Sequence, residues 1–206
     1  MEKEITLVFH NRGLRSFIEV DLCAECPRQD DKGCCGFYSP VFYPTDLAFL
    51  LLNKPDLLDY IFTLDHLTIL DASITVNNMI EGNSYRCKFH SKDGGCLLTQ
   101  TLRESICRHF VCSGIGWWEE ESMQDWHKFF EKLSSYEIEL NNEWASILKG
   151  QGLTLRDPTL RPQFFDELKK LYNKELNVPP DFITLMPEKD SRSLTRPLSF
   201  GVDWIL

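Results

Sequence analysis

Thiol is the chemistry this chain carries most densely. Eight cysteines, Cys23, Cys26, Cys34, Cys35, Cys87, Cys96, Cys107 and Cys112, fall within the first 112 residues, and none follows. Thiolate is the ligand that zinc and iron prefer, and a Cys23-x2-Cys26 pair can grip one ion from a single turn. Eight such donors suffice for two metal ions or one polynuclear cluster. Binding of zinc or iron, an iron–sulfur cluster included, is the first expectation. A disulfide framework is the competing use, found where a small domain cannot build a core and the compartment is oxidising. This chain has 206 residues, enough for an ordinary core, and adjacent Cys34 and Cys35 do not readily bridge each other. Its first fifteen residues hold Glu2, Glu4 and only the short apolar run Ile5 to Phe9, too brief for a signal-peptide core. A cytoplasmic location with reduced thiols is expected.

The thiolates need compensation. A divalent ion with four thiolates carries a net charge of about −2, and Arg86, Lys88, Arg103 and Arg108 flank Cys87 and Cys107. If residues 101–110 form one short helix, Arg103 lies a turn before Cys107 and can donate to its sulfur, which would favour metal over proton. His90 and His109 are the substitutes should one thiolate drop out of the ligand set.

The elements that must position these groups can be read from pattern. Residues 5–10 and 17–22 read as strands, the second delivering Cys23. Pro27 to Gly33 is a polar loop. Thr45 is an expected N-cap for a helix through Leu52, and a further helix covers 55–63. Residues 73–80 read as a strand leading to Cys87, and the Gly94-Gly95 turn presents Cys96. From Trp126 through Phe129, Phe130, Leu133, Tyr136, Leu140, Trp144 and Ile147, apolar residues recur at three- and four-residue steps, which predicts a helix over 124–149 with a core-facing stripe. Glu131, Glu137, Glu139 and Glu143 are assigned to its outer side. A second helix is expected over 162–173 with Phe164, Phe165, Leu168 and Leu171 inward. The tail from Pro179 reads as irregular, its last five residues docking on the body.

Composition narrows the partners. The chain is 43% apolar with a formal charge of −9, and no apolar run approaches the ~20 residues that span a bilayer. No membrane anchor is expected. An acidic chain repels phosphate backbones and shows no basic, aromatic-interleaved stripe, so no nucleic-acid partner is expected either.

Taken together, Cys23-x2-Cys26, the vicinal Cys34-Cys35, Val41-x2-Pro44-x-Asp46-Leu47, then Cys87, Cys96 and Arg103-x3-Cys107-Arg108-x-Phe110 resemble the CxxCxxCC family of zinc- or iron-chelating domains, often called YkgJ-like. The resemblance covers roughly residues 20–115. Family members carry a Cys-x2-Cys-x2-Cys-Cys run and a later Arg-Pro-x2-Cys-Arg-x-Phe/Tyr-Pro segment. Here seven residues separate Cys26 from Cys34, and Glu104 and Val111 stand where the family has the two prolines. A longer loop between ligands costs only logarithmically more closure entropy. The resemblance implies a metal centre built from the eight cysteines. Flagellin lysine methylases contain a similar cluster, so the resemblance leaves open a protein-modifying enzyme, as it does a redox iron–sulfur protein. No glycine-rich strand-to-helix turn and no ferredoxin-type cysteine run accompany the cluster.

The expectation is thus an α+β protein. Residues 1–116 form an irregular cysteine-cluster domain with short strands and helices, and residues 117–206 form a helical C-terminal extension packed on it. A metal ion is the expected partner, with a protein partner unspecified.

Overall fold

The computed structural model describes residues 2–20, 22, 34–82, 84–91, 93 and 95–197. In chain order its elements are β1 (Glu2–His10), β2 (Phe17–Glu19), α1 (Cys34–Phe37), β3 (Val41–Phe42), α2 (Pro44–Asn53), α3 (Pro55–Thr63), β4 (Leu67–Ile69), β5 (Ile74–Val76), β6 (Met79–Glu81), β7 (Ser84–Arg86), α4 (Ser105–His109), α5 (Gln124–Gly150), α6 (Arg161–Leu176), α7 (Asp181–Thr184) and β8 (Lys189–Pro197). Helices mix with antiparallel strands, an α+β fold. Among the described residues no helix is long and apolar enough to cross a membrane.

Strict alternation makes the central strand. Ile5, Leu7 and Phe9 of β1 are buried while Glu4 and Thr6 face solvent. β1 pairs antiparallel with β2 on one side and with β8 on the other, the latter from Glu2 opposite Pro197 to His10 opposite Lys189. The tail therefore differs from its sequence reading at 189–197, where a strand replaces the irregular segment. The pattern concealed it because β8 is an edge strand with one buried apolar residue, Leu194, among charged and hydroxyl side chains. Its backbone bonds to β1 hold it there, and charge is what an exposed edge should carry. A second small sheet has the order β3–β5–β4, and β6–β7 is a hairpin whose turn contains Gly82 at φ +66°. The single strand expected over 73–80 is thus two, β5 and β6, in different sheets.

The apolar stripe on α5 packs inward as its spacing demands. Trp126, Phe129, Phe130, Leu133, Leu140 and Trp144 are buried, and Phe9 of β1 stacks on Trp126 with ring centroids 5.0 Å apart. The helix ends in a Schellman motif, Gly152 N donating to Lys149 O and Leu153 N to Leu148 O, with Gly152 at φ +74°. α6 adds Phe164, Leu168 and Tyr172 to the core. α2 begins with Pro44, and Tyr43 rather than Thr45 takes the N-cap, because proline's fixed φ suits the first helical position. Asp46 in the first turn accepts from Tyr43 N at 3.2 Å.

Candidate metal centre

Among the described residues, five of six cysteines line one cavity of about 300 Å3: Cys34, Cys35, Cys87, Cys96 and Cys107. Three segments bring them there. Cys34 and Cys35 open α1, and Cys35 O accepts from Cys87 N at 2.5 Å, tying the first pair to the next segment. Leu97 N donates to Phe89 O at 2.8 Å and Ser91 N to Gly95 O at 2.9 Å, so Cys87 and Cys96 come to the same wall. Cys107 comes from α4. The remaining wall is largely apolar, including Val20, Phe42, Phe89 and Leu98, with Arg103 and Glu104 at its polar side.

Glu104 explains how Cys107 is presented. It is the N-cap of α4, its carboxylate accepting from Ile106 N at 2.9 Å and Cys107 N at 2.8 Å. A helix starting there cannot include Arg103. The single helix expected over 101–110 is instead a 3-10 turn at Gln100–Leu102 followed by α4, and Arg103 does not lie a helical turn before Cys107. Its Nε donates to Leu98 O at 3.0 Å. Arg103 still lines the cavity, and its charge helps lower the Cys34 pKa. Arg108 does not face the thiols. It is fully buried on the other side of α4, its Nη2 2.5 Å from Glu137 Oε1 and its Nη1 donating to Ser16 O at 2.8 Å.

Glu137, expected on the outer side of α5, is instead only 1% exposed. The stripe itself carried the signal, since 137 falls at the inward position between Leu133 and Leu140. Together with Arg15 and Asp46, 2.5 Å apart, Arg108 and Glu137 form a buried charge cluster that the cysteine pattern did not suggest. Arg15 Nη2 donates to Thr101 O and Arg103 O, both at 2.6 Å, which fixes the backbone leading into α4. Burial and the neighbouring Arg108 charge bring Arg15 down to about 10, while Asp46 acts against them.

The thiols differ in their readiness to ionise. A hydrogen bond from the Cys35 side chain holds Cys34 down to about 7. Burial pushes Cys87 up to about 11. Burial, followed by the charge of Glu104, drives Cys107 far above the ordinary thiol range. Thiolates at Cys87 and Cys107 are thus disfavoured in this wall, and a cation bound there would offset that cost.

Cys112 does not line the cavity and packs against the hydrophobic core. His90 also lies outside the lining, its backbone bridging to Cys96. His109 projects from α4 away from the thiols, its Nδ1 3.2 Å from Ser134 Oγ, and burial holds its pKa well below the ordinary imidazole value. Cys23 and Cys26 lie outside the described residues. Val20, three positions before Cys23, is in the cavity wall, as is Cys34 on the far side of that segment.

No family model, curated protein or solved structure matches the chain. The site is therefore read from its own residues. Among the described residues, no three Cys, His, Asp or Glu side chains are grouped as ligands of one ion. The donor set is nonetheless a thiol-lined wall, a composition that fits a thiophilic metal group and suits neither magnesium nor calcium, which take oxygen ligands.

Proposed function

We propose that this protein binds zinc or iron through cysteine thiolates, as a member of the CxxCxxCC family of chelating domains. The observation that carries the reading is the convergence of Cys34, Cys35, Cys87, Cys96 and Cys107, separated by up to 73 positions in sequence, on one cavity. A cavity of about 300 Å3 has room for one ion, a pair of ions or a multi-atom iron–sulfur cluster. Cys23 and Cys26, eleven and eight positions before Cys34, are the further donors proposed. The apolar wall limits water access, Arg103 supplies a positive charge, and the Arg15 hydrogen bonds steady the 101–103 backbone behind Cys107. Such a group, when bound, holds the cysteine-bearing segments together and, if it is iron–sulfur, exchanges one electron. Reduced thiols of this kind belong in a reducing compartment such as the cytoplasm.

The test is anaerobic purification followed by elemental analysis and an ultraviolet–visible spectrum of the same sample. Iron with acid-labile sulfide and a brown colour identifies a cluster, and a colourless protein holding zinc identifies a zinc site. Cys35→Ser and Cys107→Ser should lose bound metal, whereas Cys112→Ser, outside the cavity, should retain most of it. Equal metal content in all three variants, or no metal in the parent protein, overturns the proposal.

A further inference from the structure

On the opposite side of α4 lies a second cavity, of about 600 Å3. Among the described residues, the thiol-lined cavity and this one have Ile106 and Phe110 in common. Its volume is in the range of small-molecule sites, ~300–1,000 Å3. The two ends of its lining differ in character. Around the mouth stand Tyr43, Ile106, Phe110 and Ile138, large apolar side chains left substantially exposed, Ile138 at 61% and Ile106 at 48%. Toward the interior stand His109, Ser134, Glu137 and Asn141.

That inner group is built rather than incidental. His109 Nδ1 is 3.2 Å from Ser134 Oγ, and Arg108 Nη1, which can only donate, is 3.3 Å from His109 Nε2. Asn141 Oδ1 accepts from Thr45 N at 2.9 Å. Glu137 spends Oε1 on Arg108, while its Oε2 is buried without a hydrogen-bond partner, 4.0 Å from His109 Nε2. A buried carboxylate oxygen in that state is an unmet demand for a donor. Behind the floor the charges are paired, Arg108 with Glu137 and Arg15 with Asp46, each at 2.5 Å, so the position left open is Glu137 Oε2. Among the described residues lining this cavity there is no lysine or arginine to receive a phosphate or carboxylate.

We propose that this cavity binds small amphipathic amines, the ammonium head directed to the Glu137 floor and the apolar body lying against Ile106, Phe110 and Ile138. Anionic molecules of the same size bind more weakly, because among the described lining residues there is no basic side chain to pair with them. The proposal is argued without reference to what the thiols hold, and Ile138, which lines this cavity and not the thiol-lined one, separates its test from that of the metal centre.

The probes are n-hexylammonium and hexanoate, equal in length and opposite in charge, titrated into the full-length protein as purified and followed by 1H–15N NMR. Hexylammonium should shift the amides of Ile106, Phe110 and Ile138 and saturate with a Kd of about 1 mM, the order expected of so small a ligand. Hexanoate should bind at least tenfold more weakly. Ile138→Lys, at an exposed position that leaves the core intact, should weaken hexylammonium tenfold or more by placing a cation at the mouth. Equal binding of both probes, shifts confined to other parts of the molecule, or unchanged binding by Ile138→Lys overturns the proposal.

Discussion

Replacing Glu137 by alanine strands a guanidinium in the interior. Arg108 is 0% exposed, and its closest acidic partner is Glu137, 2.5 Å away. Removing one member of a buried pair costs about 3–5 kcal/mol, because the remaining charge stays desolvated without compensation. Arg108 would keep Ser16 O at 2.8 Å and Asp46 at 3.9 Å, so the lower end, about 3 kcal/mol, is expected. For a chain of this size that corresponds to a fall in Tm of roughly 6–12 °C. The matched control is Glu139→Ala, two positions along the same helix but solvent-exposed, which should change stability by no more than about 0.5 kcal/mol. Equilibrium urea unfolding of the parent and both variants at pH 7 measures the difference. Indistinguishable midpoints for Glu137→Ala and Glu139→Ala would refute the inward placement of Glu137 and with it the charge cluster.

Phe9→Ala, which removes a fully buried ring stacked on Trp126, should cost about 3–5 kcal/mol in the same urea assay, and a loss below about 1 kcal/mol would show that β1 does not pack on α5. Asp190 gives a pH dependence. Burial acts upward on its carboxyl, but Trp126 Nε1 at 2.9 Å and Arg192 Nε at 3.0 Å more than offset it and leave the pKa below its ordinary value. The stability it supplies is therefore present above the unfolded carboxyl pKa, ~3.9, and is lost as pH falls through the folded value. Asp190→Asn should flatten the acid limb of a stability–pH curve between about pH 5 and 2, and an unchanged limb would contradict the pairing. If the thiols hold metal as proposed, stripping it with a chelator under reducing conditions should lower Tm and be reversed by adding the metal back, since a ligand bound to the native state alone contributes folding energy. A Tm indifferent to chelator in metal-loaded protein would separate the metal from the fold.

The legible parts of the fold were those where burial writes a period into the sequence. α5 could be read from Trp126 to Ile147 because a long helix with one inward face repeats its apolar residues, and α3 could be bounded by Pro55 and Thr63. β8 had no such period, because its contribution is backbone pairing to β1 with Leu194 alone buried. Glu137 was hidden by its type, since an acid on an amphipathic helix is usually solvated, although its position on the stripe placed it inside. At the candidate site, residue type and spacing singled out the cysteines, yet nothing local in the sequence divides the five that line the cavity from Cys112. Arg103 and Cys107 were read as helical neighbours because Glu104 resembles any helix interior residue until its carboxylate is seen capping α4.

The pairing of β1 with β8 also sets an order of events during synthesis. All eight cysteines have been joined to the chain by residue 112, but β8, the second partner of β1, is complete only at Pro197. At about 5–20 residues per second, roughly 4–17 s separate those two points. Throughout that interval the nascent chain carries its thiols without the closing edge of its first sheet, open to oxidants and to metal alike. A polypeptide that acquires metal at this stage would do so from its ordered sequence of emergence, with Cys23 and Cys26 first and Cys107 after them, an order that refolding of the completed chain in a test tube does not reproduce.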